Sequence, residues 1–227
     1  MNMHSHEFHM MQLADSFFPS GTFGFSGGLE SFVKSGRIKD KKGVLLFIRQ
    51  QLEFQIMPCD CVVLSAVMSS ATSKDIDGIV RADSRYYAMK LVREMRTAST
   101  RSGKQILQTL AHIKSNELAK EFRIMIDQGK SPGTYPACLA MAAYSLQIPA
   151  ESAVRIMLYT YCSSIVGSAV RLGIVSHIEG QSVLCFLAQD VSSATPKRDL
   201  DDLWQLSPLA EILQMRHEQD EFRMFIT

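Results

Sequence analysis

A short glycine-rich segment near the start of the chain has the spacing of a catalytic serine. Gly24-Phe-Ser-Gly-Gly28 matches G-x-S-x-G, in which a strand delivers the serine to a strained turn and a following helix supplies an oxyanion hole. The preceding residues, 15–22, do not form a convincing strand, and Ser26 comes before any sheet that could support it. Histidines that could complete a triad, His177 and His217, occur downstream, as they do in most chains. We therefore favour a glycine-rich loop here, and a serine hydrolase using Ser26 is kept as the alternative.

Two other patterns could bind a ligand, and neither is complete. The glycine-rich loop lacks the Gly-Lys-Ser/Thr ending of a Walker A loop, so it should not hold a nucleotide by that device. His4, His6 and His9 lie close together, and Cys59-Asp-Cys61 offers two thiols, but neither group has the paired spacing of a closed zinc site. We predict terminal histidines and core thiols, with no metal site and no cofactor.

Composition limits the class of protein. The 227 residues include 24 basic and 23 acidic side chains, which gives no electrostatic reason to expect a nucleic-acid partner. The odd number of cysteines, five, is typical of reduced thiols in a cytosolic protein. No basic region followed by an apolar run marks a signal peptide, and the longest uncharged stretch, 156–170, is too short to span a membrane. We expect a soluble, cytoplasmic protein with no membrane contact.

Apolar residues recur at helical spacing along most of the chain. Residues 40–57 predict a helix that ends at Pro58, followed by a second helix from Asp60 to about Ser70. A longer helix is predicted from Ser73 to the region of Arg96. Further helices are expected over 102–113, 117–126 and 136–146.

Helix starts become clearer in the second half. Pro149 suits the first turn of a helix that runs to about Leu172, and Ser176-His-Ile-Glu179 has the spacing of a capping box. Thr195-Pro196 and Ser207-Pro208 have the cap-plus-proline pattern of two more starts. With no hairpin or βαβ pattern, residues 1–227 predict a single all-α domain, a helical bundle of about eight to eleven helices.

Three features of the sequence suggest binding rather than catalysis. Arg93, Glu94 and Arg96 form a charged helix segment, which could equally be a solvated face. Arg155 and Tyr159 are one helical turn apart, and this pair has the composition of an interface anchor. The terminal residues, about 216–227, stay apolar where a tail is normally polar, so we expect this tail to dock on a partner. The first residues, about 1–10, are expected to be mobile.

Three separated segments together resemble the UreF family of urease accessory proteins. The glycine-rich segment, residues 13–30, is similar to the family's P-x-G-x-F-x-x-S-x-G-L-E opening. Arg93-Glu-Met-Arg96, with Ser99 and Gly103, is similar to R-E-x-R-x-x-S-x-x-x-G. The third segment runs from Ala169-Val-Arg-Leu-Gly173 through Gly180 and Gln181 to the closing residues 215–225.

The resemblance implies an all-helical, often homodimeric protein without catalytic activity. Such proteins bridge an accessory protein called UreD or UreH and the nickel-carrying GTPase UreG, and the assembly inserts nickel into the urease apoprotein. A role in regulating the GTPase would also follow, although the sequence singles out no arginine finger. Apart from this family, a generic helical interaction module without any link to nickel stays possible.

The resemblance and the exposed pairs together give the candidate partner-binding residues. They are Gly21, Phe23, Ser26, Gly28, Glu30, Arg93, Glu94, Arg96, Arg155, Tyr159, Arg171, Gln181, Arg216, His217, Glu218, Arg223 and Phe225.

Overall fold

The computed structural model describes residues 4–20, 25–195, 199–217 and 224–225, and these residues form helices and loops without a strand. The predicted all-α class is therefore confirmed. The helices are α1 (His4–Ala14), α2 (Leu29–Lys34), α3 (Lys41–Gln51), a π-helical segment (Leu52–Cys61), α4 (Val62–Thr72), α5 (Ile76–Met89), α6 (Arg93–Ile113), α7 (Glu117–Asp127), α8 (Tyr135–Ser145), α9 (Ala150–Arg171), α10 (His177–Ser192), a 3₁₀ turn (Leu200–Asp202) and α11 (Pro208–His217).

Helix α8 is the centre of the bundle. Its alanine-rich sequence is apolar on all sides, and its residues from Pro136 to Ala143 are buried. A helix that is apolar all round must be covered on every face, and α8 packs against α4, α6 and α9. Its small side chains let these neighbours approach closely.

The predicted end of the first long helix at Pro58 is wrong. The chain continues from α3 through π-helical turns into α4, with Pro58 inside the helix. A proline has no N–H to donate to the preceding turn, and the carbonyl of Phe54 instead accepts the N–H of Leu206 at 2.8 Å. The carbonyl of Pro58 accepts the N–H of Trp204 at 3.2 Å. The segment 204–206 thus supplies hydrogen-bond donors to helix carbonyls at the point where the proline interrupts the hydrogen bonding of the helix itself.

The predicted helix from Ser73 to Arg96 is divided in the structure. Helix α5 ends at Met89, Lys90 has extended backbone angles, and α6 begins at Arg93 rather than near 102. The side chain of Lys90 pairs with the buried carboxylate of Asp60, Nζ to Oδ2 at 2.8 Å. Burial alone would lower the pKa of Lys90, but the Asp60 carboxylate and the Cys59 thiol outweigh it and raise that pKa. This buried pair is the physical reason for the break, because it draws Lys90 out of the helical path.

A second buried carboxylate positions the start of α8. Asp83 is fully buried on α5. It accepts the hydroxyl of Ser131 at 2.6 Å and the backbone N–H groups of Gly133 at 2.7 Å and Thr134 at 2.9 Å, together with the Thr134 hydroxyl. A buried carboxylate needs such partners to offset the cost of its desolvation. Asp83 thereby fixes the loop that leads into α8.

The predicted starts in the second half are largely confirmed. Helix α9 spans Ala150–Arg171, α11 begins at Pro208, and Ser176 with Glu179 forms a complete capping box. Pro196 lies outside the described residues. Two helices, Lys41–Thr72 and Ala150–Arg171, have the length and apolar composition of a membrane span, but most of each apolar stretch is buried inside the bundle. Core helices of this kind account for both.

Candidate partner-docking site

The described part of the glycine-rich loop lies on the second half of α9. The carbonyl of Phe25 accepts the hydroxyls of Ser164 at 3.1 Å and Ser168 at 3.0 Å, which are one helical turn apart. Gly27 has φ +58°, and a Cβ there would lie 2.9 Å from Ile165 Cδ1. The loop can follow this path because α9 presents small hydroxyl side chains and because glycine tolerates the left-handed backbone.

Ser26 is not placed as a catalytic serine. Its side chain is fully buried, and its carbonyl accepts the N–H of Leu29 at the start of α2. The described residues around it contain no strand that could form a nucleophile elbow. Ser26 is therefore part of a helix entry, and Gly28, with φ +89°, is the N-cap residue that precedes α2.

Glu30 joins the glycine-rich loop to the C-terminal tail. Its side chain is almost completely buried on α2, and its two carboxylate oxygens accept the backbone N–H groups of Met224 at 3.0 Å and Phe225 at 3.1 Å. Lys34, one turn further along α2, lies 3.1 Å from Glu30 Oε1. Two segments that the sequence predicts separately as docking regions thus contact each other.

Arg171 completes this contact from the end of α9. Its guanidinium lies 4.7 Å from the ring centre of Phe225, which is buried. It also donates to the carbonyl of Gly167 at 3.2 Å and to the hydroxyl of Ser168 at 3.0 Å. Partial burial lowers the pKa of Arg171 from its ordinary value, but an arginine keeps its charge under these conditions. The cation therefore stacks on the aromatic ring and fixes the tail against α9.

Helix α11 packs on α2 through one small apolar residue and one polar residue. Gln214 and Ala210 are buried against α2, and a Cβ at Gly28 would lie only 2.8 Å from Gln214 Nε2. Among the described residues, Gln214 Nε2 finds no hydrogen-bond partner. Burying the amide of Gln214 without a hydrogen bond is unfavourable. Packing of α11 on α2 therefore does not by itself explain why Gln214, rather than Leu209 or Ile212, faces α2.

The outward side of α11 is apolar. Leu209, Ile212 and Met215 are 41%, 50% and 42% exposed. Other large apolar residues of this region are exposed as well. We refer to the whole set as the C-terminal apolar surface: Trp204, Leu206, Leu209, Ile212, Met215 and Met224. An isolated exposed leucine is ordinary, but apolar residues concentrated in one region mark an interaction site. The sequence prediction placed Arg216 and His217 of α11 in the site but missed Leu209, Ile212 and Met215, because the spacing of these apolar residues is equally typical of a buried face.

Most residues of the charged motif on α6 make contacts within the protein. The guanidinium of Arg96 donates to the carbonyl of Lys90 at 2.7 Å, which closes the break between α5 and α6. Ser99 accepts the N–H of Tyr135 at 3.0 Å, and a Cβ at Gly103 would lie 2.3 Å from the carbonyl oxygen of Gly133. Arg96, Ser99 and Gly103 therefore hold α6 to its neighbours, a role that the sequence prediction did not assign them.

The other candidate residues lie on separate surfaces. Arg93 is exposed and Glu94 is half-buried at the start of α6, and Tyr159 is 44% exposed on α9. Arg155, also on α9, lies 3.9 Å from Glu151. On α10, Gln181 is exposed. Its neighbour Gly180 faces α9, and a Cβ on Gly180 would lie 2.9 Å from Val166 Cγ1. Arg216 is exposed at the end of α11. Gly21, Phe23, Glu218 and Arg223 lie outside the described residues, as does the side chain of His217.

The candidate metal-binding groups are dispersed. His6 and His9 lie on α1, whereas Cys59 and Cys61 are buried in the π-helical segment. Burial raises the pKa of Cys59 to about 12, so its thiol stays protonated at neutral pH. Across the residues that the structure describes, no cluster of three or more His, Cys, Asp or Glu side chains is arranged to hold a metal ion.

The family model of UreF matches residues 38–188, two thirds of the chain. The chain belongs to the UreF family. Among similar proteins, the urease accessory protein UreF of Trichodesmium erythraeum is 28% identical over 97% of both chains. The proteins of the same name from Yersinia enterocolitica and Yersinia pseudotuberculosis are each 30% identical over 95% of this chain and 96% of theirs. UreF proteins are accessory proteins rather than enzymes, which sets aside the hydrolase alternative for Ser26.

Proposed function

We propose that this UreF-family chain bridges a UreD/UreH-type accessory protein and a UreG-type GTPase, and so promotes nickel insertion into the urease apoprotein. In this proposal the chain contributes contact surfaces and no chemistry of its own. Regulation of the GTPase would follow from the same contacts. The cytoplasm is the proposed compartment, because five cysteines without a disulfide among them fit a reducing environment.

The orientation of α11 is the observation that supports this proposal most directly. Helix α11 turns Leu209, Ile212 and Met215 outward, and apolar residues grouped in this way are typical of a surface that a partner covers. Aromatic and methionine side chains, here Trp204, Met215 and Met224, are enriched where proteins meet. We assign the C-terminal apolar surface to the UreD/UreH-type partner, because its apolar character suits a long-lived interface.

The tail contact with Glu30 extends this surface. Because Met224 is held by the carboxylate of Glu30, the position of the tail depends on the glycine-rich loop. The remaining exposed candidates, Arg93, Glu94, Arg155, Tyr159 and Gln181, stay proposals for contacts with UreG or urease.

The test is a co-purification from cells that express the urease subunits with all accessory proteins. A Leu209→Asp/Ile212→Asp variant should lose the UreD/UreH-type partner and should fail to activate urease at limiting nickel. Central apolar contacts are each worth about 2 kcal/mol or more, so capture should fall by at least about tenfold. Leu46→Asp/Ile178→Asp is the matched control, because these residues are 49% and 84% exposed on α3 and α10. Full capture and full activation with the α11 variant would refute the proposal.

We also propose that the chain forms a homodimer through α1. Phe8, Met11 and Phe17 are 65%, 66% and 93% exposed. With Ile113 at the end of α6 they line an open groove of about 350 Å³. Two copies could cover these side chains reciprocally, as a twofold interface requires. Analytical ultracentrifugation of Phe8→Arg should then give a monomer, and an unchanged dimer would contradict this assignment.

A further inference from the structure

Basic side chains are concentrated between the end of α2 and the start of α3, although the whole chain has a net charge of only +1. We call residues 34–42 the basic loop, because they include Lys34, Arg37, Lys39, Lys41 and Lys42. Asp40 is the only acidic residue among them. Arg37, Lys39 and Lys42 are exposed, and their side chains form no ion pair or hydrogen bond with any residue that the structure describes. Three positive charges thus face solvent without a counter-charge from the described residues.

The end of α2 holds the backbone of the basic loop in place. Gly36 has φ +71° and donates its N–H to the carbonyl of Val33 at 2.9 Å. The N–H groups of Arg37 and Ile38 both donate to the carbonyl of Phe32, at 3.0 and 3.3 Å, and the side chain of Ile38 is buried. A charged loop that is fixed in this way can meet a partner without a large entropic cost of ordering.

The start of α3 is an unfavourable place for these charges. The first turn of a helix has a partial positive charge and favours acidic side chains, yet the first turn of α3 contains Lys41 and Lys42 and no acid. The carboxylate of Asp40, the N-cap, accepts the N–H of Gly43 at 2.8 Å and so serves the helix backbone. Local choices that oppose stability are expected at functional sites. The placement of the lysines therefore indicates a contact outside the chain.

The basic loop adjoins the C-terminal apolar surface. Lys34 Nζ lies 3.1 Å from Glu30 Oε1, and the same oxygen accepts the N–H of Met224 at 3.0 Å. Met224 is 63% exposed and belongs to that surface. Protein interfaces combine an apolar centre with a polar rim, and complementary charges at the rim accelerate association. The apolar surface and the basic loop together have this composition.

We propose that the basic loop is the charged rim of the interface at the C-terminal apolar surface, and that it contacts an acidic surface of the partner that covers it. This inference rests on the proposed function, which assigns the apolar surface to the UreD/UreH-type protein. A phosphate backbone would need a longer track of cations than three unpaired side chains. A membrane would need apolar side chains that insert, whereas Ile38, the one apolar residue of positions 35–40, is buried.

Association kinetics of the full chain with the purified UreD/UreH-type protein test the proposal. Rim charges act mainly on the association rate, so Arg37→Glu/Lys39→Glu/Lys42→Glu should slow association by about tenfold or more at about 0.1 M salt. The dissociation rate should change by less than about threefold. At about 1 M salt, where the Debye length is about 3 Å, the difference in association rate should disappear.

A matched control separates the position of the charges from the net charge. Lys120→Glu/Arg123→Glu/Lys130→Glu replaces the same residue types at exposed positions on α7 and just after it. Helix α7 packs against α5, α6 and α8, so this variant should slow association by less than about threefold. Lys42→Glu alone should raise the thermal midpoint, because glutamate suits the first turn of α3, and should still slow association.

Three results would overturn the inference. The first is an unchanged association rate and salt dependence in the basic-loop variant, and the second is an equal loss in the α7 control. The third is binding of the wild-type chain to phosphatidylserine vesicles that the basic-loop variant abolishes, which would assign the loop to a membrane. If Leu209→Asp/Ile212→Asp still lost the partner, the proposed function would stand although the inference had failed. Full capture with that variant would instead refute the proposed function, so the two failures are distinguishable.

Discussion

Replacing Glu30 with glutamine should release the C-terminal tail without unfolding the bundle. The carboxylate accepts the N–H groups of Met224 and Phe225, one at each oxygen. Glutamine keeps one acceptor oxygen and turns an NH₂ group toward the other N–H, so at least one bond is lost. Hydrogen bonds to charged groups are each worth about 1.5–3 kcal/mol. We therefore expect the tail contact to weaken by about 2–3 kcal/mol.

The ion pair of Glu30 with Lys34 adds little to this value. Lys34 is 44% exposed, and exposed pairs contribute about 1 kcal/mol or less. A Lys34→Gln variant is thus the matched control, because it removes the ion pair and leaves both tail bonds in place.

Amide hydrogen exchange measures the effect directly. Exchange at Met224 and Phe225 reports local opening, and a change of 1.4 kcal/mol corresponds to tenfold. Glu30→Gln should accelerate exchange at both amides by about 30- to 150-fold, whereas Lys34→Gln should change it by less than about fivefold. Amides inside α8 should exchange as before. If Met224 and Phe225 exchanged at the same rate in both variants, Glu30 would not be what holds the tail.

The buried framework yields three further predictions. Asp83→Asn should reduce the free energy of unfolding by about 2–4 kcal/mol, because its NH₂ group would face donors that the carboxylate accepts; urea denaturation measures this, with exposed Asp127→Asn as control. Gly103→Ala should destabilise the chain by about 1–3 kcal/mol, because a Cβ there meets the Gly133 carbonyl at 2.3 Å; an unchanged thermal midpoint would contradict this. Burial raises the pKa of Cys59 from 9.0 to about 12, so its contribution to stability is complete below pH 9 and is lost as pH rises toward 12. Exposed Cys185 should accordingly react with a thiol reagent at pH 8 long before Cys59 does.

The sequence predicted helices where the signal is local. The capping box at Ser176 depends on side chains three residues apart, and the start of α9 after Pro149 depends on the fixed backbone of proline. Both could be found without knowing the fold. The predictions failed at Pro58 and Lys90, where distant residues decide. The carbonyls near Pro58 are satisfied by the segment 204–206, and Lys90 is displaced by Asp60.

The candidate site shows the same division. Glycines such as Gly28 are identifiable from the sequence, because few residues tolerate a left-handed backbone. The contact between Glu30 and Phe225, 195 positions apart, is not visible in any local pattern. The outward apolar side of α11 was missed for a related reason, since spacing identifies a stripe but not the direction in which it points.

The break at Pro58 also affects the order in which the chain can mature during synthesis. The carbonyls of Phe54 and Pro58 find their partners at Leu206 and Trp204, about 150 residues later. Until the ribosome has made that segment, those two carbonyls can bond only to water, and the middle of the long helix lacks these two hydrogen bonds. These two hydrogen bonds therefore form only when the last tenth of the chain has emerged, together with the surface assigned to the partner.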